Sequence, residues 1–143
     1  MKETLLTVLE NTRLADGIYR LRLAGDTSAI TAPGQFVNLK LSGFFLRRPI
    51  SVCDWENGEV TLIYKVLGHG TEAMTGMAVG TALDVLTGLG NGFDLSRSGE
   101  HPLLVGGGVG IPPLYGLAKR LTAQGKRVTA VLGFNRKSEI FLA

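Results

Sequence analysis

Up to about residue 97 the chain alternates apolar and polar positions in short runs separated by glycine and other turn formers, the period-two pattern of half-buried strands. The strands this pattern predicts are Leu5–Leu9, Ile18–Leu23, Phe36–Leu41, Ile50–Cys53, Val60–Val66 and Leu83–Leu86. Six short strands with turns between them point to an antiparallel barrel. Asn57-Gly58 is the clearest hairpin turn, because both residue types tolerate the positive backbone angles of a tight two-residue loop. One interruption is helical in character: Thr71 is placed to cap a short helix over Glu72–Met77, between the fifth and sixth strands.

The pattern changes after the polar cluster Ser96–Pro102. Leu103–Val105 is a short, wholly apolar run of the kind buried in parallel sheets. Gly106–Gly110 is a glycine-rich turn, Pro112–Gln124 reads as a helix opening on two prolines, and Val128–Leu132 returns as a strand. Strand, turn, helix and strand make the repeating unit of nucleotide-binding sheets. The expected organisation is a barrel over residues 1–98 and the first βαβ unit of an α/β nucleotide-binding domain over residues 99–143. One such unit is far short of a doubly wound domain, and its unpaired strand edge invites association.

Composition narrows this picture. Hydrophobic residues at 45% against 19% charged favour a packed globular chain over a disordered one. No apolar run reaches the roughly 18 residues needed to span a bilayer, and Met1–Glu10 lacks the basic-then-apolar order of a signal peptide, so a cytoplasmic location is expected. The net charge of +3 comes from scattered Lys and Arg rather than basic blocks, which argues against a nucleic-acid partner. The single cysteine, Cys53, makes no internal disulfide, and iron–sulfur clusters usually take several thiolates. A buried, unreactive thiol is the expectation for Cys53.

Three constellations carry chemistry. In Phe45–Asp54 the planar fork of Arg48 suits a pyrophosphate, Pro49 fixes the backbone, and Ser51 presents a hydroxyl from the strand beyond Ile50. Taken alone these residues fit a cofactor clamp or a surface arginine pair ahead of an ordinary strand. In Leu62–Thr71 the amides of Gly70 and Thr71 open the short helix where an anion could be met, while Tyr64 offers a ring and Lys65 an ammonium, although taken alone Tyr64 reads as a half-buried strand residue and Lys65 as a solvated charge. His69, between two glycines, reads as a loop residue. In Leu103–Pro113 the run Gly106-Gly107-Gly108-Val109-Gly110 lets a ligand approach the backbone ahead of a helix, although it is not the G-x-G-x-x-G fingerprint.

The order of Arg48-Pro49-Ile50-Ser51, Gly70-Thr71, Gly88-Leu89-Gly90-Asn91-Gly92 and Gly106–Pro113 resembles the ferredoxin-reductase superfamily. Within it the chain is similar to the electron-transfer subunits of bacterial NAD-dependent dihydroorotate dehydrogenases. The resemblance covers essentially the whole chain. It implies that residues 1–98 form the all-β, six-stranded antiparallel Greek-key barrel of that superfamily's FAD domain. It implies an FAD held by Arg48, Pro49, Ile50, Ser51, Ile63, Tyr64, Lys65, Gly70 and Thr71, and a nicotinamide nucleotide, NAD, at Gly106–Gly110. It further implies a heterotetramer with an FMN-containing dihydroorotate dehydrogenase catalytic subunit. In that family electrons from dihydroorotate oxidation, a step of pyrimidine biosynthesis, reach FAD through a [2Fe-2S] cluster. The cysteines for that cluster and the rest of the nucleotide domain do not occur here, so the chain is expected to be an N-terminal fragment inactive by itself.

Two other readings stay open. The same flavin could serve a ferredoxin:NADP reductase-like or sulfide-dehydrogenase-like complex, and Asn135 and Arg136 lack the acidic partner expected for NAD. A non-catalytic barrel that binds nucleic acid or protein would explain the charge but not the glycine turns.

Overall fold

The computed structural model describes residues 1–143. Six antiparallel strands close into a barrel: β1 (Lys2–Ala15), β2 (Ile18–Ala24), β3 (Phe36–Leu39), β4 (Arg48–Glu56), β5 (Glu59–Lys65) and β6 (Ala82–Leu89). Their order around the barrel is β1-β2-β5-β4-β3-β6, so the β4–β5 hairpin is slotted between β2 and β3 in Greek-key fashion. Every predicted strand is present, and β1 extends well past Leu9. It is shared across the closure, pairing with β6 over Lys2–Thr7 and with β2 from Thr7 onward. Register shifts between Val8 and Glu10 and between Arg13 and Ala15 bend it between the two neighbours.

Alternation places Leu6, Val8, Leu21, Leu23, Val37, Leu39, Val60, Leu62 and Val85 inside the barrel, all fully buried. Where β4 and β5 are covered on both faces the alternation disappears: Val52 and Cys53 are buried in succession, as are Leu62, Ile63 and Tyr64. The β4–β5 hairpin turns at Asn57-Gly58 as expected, but only Gly58 takes a positive φ (81°). Asp16-Gly17 makes an equivalent two-residue turn between β1 and β2, with Gly17 at φ 67°.

The short helix α1 spans His69–Met74 and begins three residues before the predicted Glu72. Thr71 is therefore not its cap but lies in its first turn. The reason is the reach of its hydroxyl: Oγ1 accepts from the amides of Leu67 (2.8 Å) and Gly68 (3.2 Å), which draws the chain into helix earlier. Helix α1 closes one end of the barrel with the fully buried Met74. Asn11 fixes it there, donating through Nδ2 to the carbonyls of Met74 (2.7 Å) and Met77 (3.2 Å) and accepting from the Tyr64 hydroxyl (2.9 Å).

After a 3₁₀ turn at Leu95–Arg97 come β7 (Leu103–Gly107), a second 3₁₀ turn at Gly108–Gly110, helix α2 (Pro112–Ala123) and β8 (Thr129–Gly133). Strands β7 and β8 are parallel, with α2 as their crossover. A third 3₁₀ turn at Lys137–Glu139 leads the chain back to the barrel, where the Asp16 amide donates to the Ser138 carbonyl at 2.9 Å. Helix α2 buries Leu117 and Leu121 against Leu104 of β7. Its other side crosses β4 so closely that a Cβ on Gly116 would lie 2.8 Å from the Cys53 carbonyl oxygen. A second apolar cluster of Ile18, Cys53, Ile63, Ile111 and Phe141 fills the seam between barrel and βαβ unit. The other face of the two-stranded sheet leaves Leu103, Val105 and Val131 exposed. No helix is long and apolar enough to cross a membrane.

Candidate cofactor clefts

The two neighbouring arginines at the head of β4 do different work. Arg47 is tied into the barrel, donating to the carbonyls of Asn38 (3.3 Å) and Asp84 (3.2 Å) and pairing with the Asp84 carboxylate at 2.9 Å. Arg48 points away from those partners. Its guanidinium lies 5.1 Å from the Phe44 ring centre, bonds the Leu46 carbonyl at 2.5 Å, and covers Gly70 so tightly that a Cβ there would sit 2.2 Å from its Nε. The fold thus brings Arg48 onto the first turn of α1.

Next to this contact is a cleft of about 210 Å³ lined by Pro49, Ile50 and Ser51 of β4, Ile63, Tyr64 and Lys65 of β5, Leu67, Thr71 and Val109. Seven of the nine residues named for FAD from the sequence line one cleft, and the other two, Arg48 and Gly70, are in contact beside it. Strand pairing explains the convergence. Val52 of β4 pairs Leu62 of β5, so Ser51 and Ile63 emerge side by side at the barrel's end.

Tyr64 departs from the role the resemblance implied and packs as a strand residue. Its ring is 1% exposed, stacked on Tyr19 with 5.7 Å between centres, and its hydroxyl is spent on Asn11. Burial pushes the phenol well above its ordinary pKa. Leu62 and Tyr64 share the inner face of β5, so the ring is turned into the core and not offered to a ligand, while Ile63 and Lys65 face outward. The Thr71 hydroxyl is likewise engaged by the Leu67 and Gly68 amides.

A larger cleft, about 520 Å³, opens at the carboxyl ends of β7 and β8 and is lined by Ile18, Lys65, Gly107, Gly108, Val109, Gly133, Phe134, Asn135, Glu139 and Phe141. In open α/β sheets ligands bind at that end of the strands. Of the run Gly106–Gly110, only Gly107, Gly108 and Val109 line it. Gly106 is explained by packing, since a Cβ there would meet Leu114 at 2.6 Å, and Gly110 lies outside the cleft. Gly107 and Gly108 have open space where a side chain would stand, as close approach of a ligand requires. The sequence reading missed Gly133, Phe134, Glu139 and Phe141. The signal available was Gly133 closing the second parallel strand. The two clefts share Lys65 and Val109 and so meet between barrel and βαβ unit.

Gly88, Gly90 and Gly92 serve the barrel. All three have positive φ (70°, 83° and 75°), and a Cβ on Gly88 would lie 2.4 Å from the Ala29 carbonyl oxygen. The Cys53 thiol is pushed up to about 12 by burial and by the neighbouring Asp54 charge. As the sequence reading expected, it is a buried packing group.

No protein-family model matches the chain. The dihydroorotate dehydrogenase B (NAD(+)) electron transfer subunit of Bacillus pumilus is 46% identical over 99% of this chain, and that of Fusobacterium nucleatum is 43% identical over 94%. Over nearly its whole length the chain is thus similar to these electron transfer subunits. It spans 58% of the length of the Bacillus relative. Among solved structures, an NADH-dependent reduced ferredoxin-NADP oxidoreductase described for flavin-based electron bifurcation superposes with a TM-score of 0.87 at 31% identity, covering 98% of this chain and 52% of that one. The Amycolatopsis cytochrome P450 reductase GcoB gives 0.88 at 24% identity over 99% of this chain and 46% of that one, a likeness of fold. The barrel with its appended βαβ unit is therefore the ferredoxin-reductase fold.

Proposed function

We propose that residues 1–98 hold FAD and residues 99–143 begin the nicotinamide-nucleotide domain of an electron-transfer subunit. In this reading electrons from dihydroorotate oxidation on an FMN-containing catalytic partner subunit are passed to NAD. The observation that supports it most directly is the meeting of two clefts at Lys65 and Val109, one built from the flavin motif and one at the carboxyl end of a parallel sheet. Family kinship supports the choice of partner and of NAD.

The residues fit a flavin dinucleotide. Arg48 offers a guanidinium already resting on Gly70, and glycine there lets the two stay in contact. Ser51, Ile63 and Lys65 line the cleft where the ring would lie, with a hydroxyl, an apolar wall and an ammonium. Bound there, the flavin supplies the chemistry of taking up electrons and giving hydride; the protein binds, orients and tunes it. Tyr64 and Thr71 act from behind, one by filling the barrel and the other by fixing the loop ahead of α1. Gly107 and Gly108 leave the backbone open to a nucleotide. The chain does not fit a [2Fe-2S] cluster: its one cysteine is buried, and no group of His, Cys, Asp and Glu is placed to hold a metal.

The test is the absorbance spectrum of the purified chain, with the released cofactor weighed by mass spectrometry. A flavin spectrum and the mass of FAD are expected. A correctly folded chain that neither carries nor binds added FAD would overturn the proposal. The likeness to the NADH-dependent ferredoxin-NADP oxidoreductase favours a second circuit for the same flavin, with ferredoxin in place of the FMN partner. Co-purification of the native complex with an FMN-containing subunit decides for the first, and with a ferredoxin for the second.

A further inference from the structure

Lys65 occupies a singular position, because it and Val109 alone line both clefts. Facing it across the junction is Glu139, whose carboxylate oxygen stands 3.8 Å from Lys65 Nζ with side chains only 29% and 17% exposed. At that distance the two form a Coulombic pair without a hydrogen bond, so the ammonium keeps its donors while its charge is partly offset. Glu139 is also firmly held. It ends the 3₁₀ turn that the Asp16 amide ties to the barrel through Ser138, and two residues later Phe141 is buried in the seam, edge-on to Phe134. A carboxylate fixed so near a cofactor cleft, in a wall otherwise suited to an anionic nucleotide, calls for a role.

Reduction of a flavin adds negative charge to its ring, and a nearby cation favours that state while a nearby anion opposes it. We infer that Glu139 is a positioning residue that sets the reduction potential of the flavin by partly neutralising Lys65, holding the potential lower than Lys65 alone would. The inference rests on the FAD reading of the smaller cleft and names a residue of the larger one that works on it.

The experiment is a spectroscopic redox titration of the whole chain loaded with FAD, as wild type, Glu139→Gln, Lys65→Gln and the double variant. Glu139→Gln should favour the reduced flavin about tenfold at fixed potential, a rise of ~30 mV for a two-electron couple. Lys65→Gln should shift the potential downward. In the Lys65→Gln background, Glu139→Gln should then have no effect, since the carboxylate acts through the ammonium. An unshifted potential in Glu139→Gln overturns the inference, and so does an equal shift in both backgrounds, which would mean a direct field from the carboxylate. Glu139→Asp keeps the charge but withdraws it by one methylene, and should give a smaller rise if the Gln variant does not fold. Failure of the wild type to take up FAD would overturn the underlying flavin reading itself, a result distinct from uptake with an unmoved potential.

Discussion

Arg47 and Arg48 are adjacent on the chain yet only one is free to meet a ligand. Arg47 has its guanidinium committed to Asn38, Asp84 and Glu3, whereas Arg48 leans on Gly70 and the Leu46 carbonyl at the cleft's margin. Hydrogen bonds to charged groups are worth about 1.5–3 kcal/mol, so Arg48→Ala should weaken FAD binding by about tenfold or more in a fluorescence titration. Lys65→Ala should weaken it less, because that ammonium faces the ring region and shares its charge with Glu139; equal losses would count against the pyrophosphate role of Arg48. Gly70→Ala is the complementary probe. Its methyl group would overlap Arg48 Nε, and the displaced guanidinium should lower FAD affinity while the barrel's unfolding midpoint hardly moves.

At the scale of elements, α1 and β1 depend on one polar residue. Asn11 satisfies two carbonyls at the end of α1 and the hydroxyl of buried Tyr64, so Asn11→Ala leaves several buried groups without partners. A loss of about 1–3 kcal/mol in urea unfolding is expected, larger than for most surface substitutions. Glu10, on the same strand, is drawn down to about 2 by the Thr12 hydroxyl first and then by Arg20, with Arg22 also contributing. A carboxylate whose folded pKa is depressed stabilises the fold above its ordinary value of 4.5 and loses that contribution as pH falls toward 2. Glu10→Gln should therefore flatten the decline of stability between about pH 4.5 and 2, by roughly 1 kcal/mol after solvent screening. Neither role of β1 was legible in the sequence. Asn11, Thr12 and Arg13 interrupt the apolar alternation, and their strand is held by bulged pairing with β2, which only the closed barrel supplies. By contrast the inner faces of β2, β3 and β6 were readable, because a period of two and burial on one side leave a direct trace in residue order. The cleft linings divide along the same line. Pro49–Ser51 stood out by residue type and spacing and Lys65 only through the family resemblance, whereas Glu139 and Phe141 reach the larger cleft by a return of the chain that no local pattern records.

At the scale of the whole molecule, what matters is how the βαβ unit rests on the barrel, since each cleft borrows a wall from the other side. Lys65 belongs to the barrel and lines the larger cleft; Val109 belongs to the glycine turn and lines the smaller one. Helix α2 sets this register. Gly116 lies against the Cys53 carbonyl, Lys119 pairs with Asp54 at 3.0 Å and reaches Glu56, and the Arg120 guanidinium sits 3.4 Å from the centre of the Trp55 ring. The partly exposed ion pairs contribute little energy by themselves. The close approach at Gly116 and the apolar seam beneath it therefore carry the docking. Gly116→Val would force the helix outward, because neither partner in that contact is a flexible side-chain end. Amide hydrogen exchange should then quicken across α2 and the turn at residues 108–110 while the inner strands β2 and β5 keep their protection. FAD should still titrate in this variant, since all nine residues proposed to hold it lie on β4, β5 and α1. Exchange that rises equally in the barrel would show one cooperative unit and would overturn the proposed division into a flavin domain ending at residue 98 and a nucleotide domain beginning at 99.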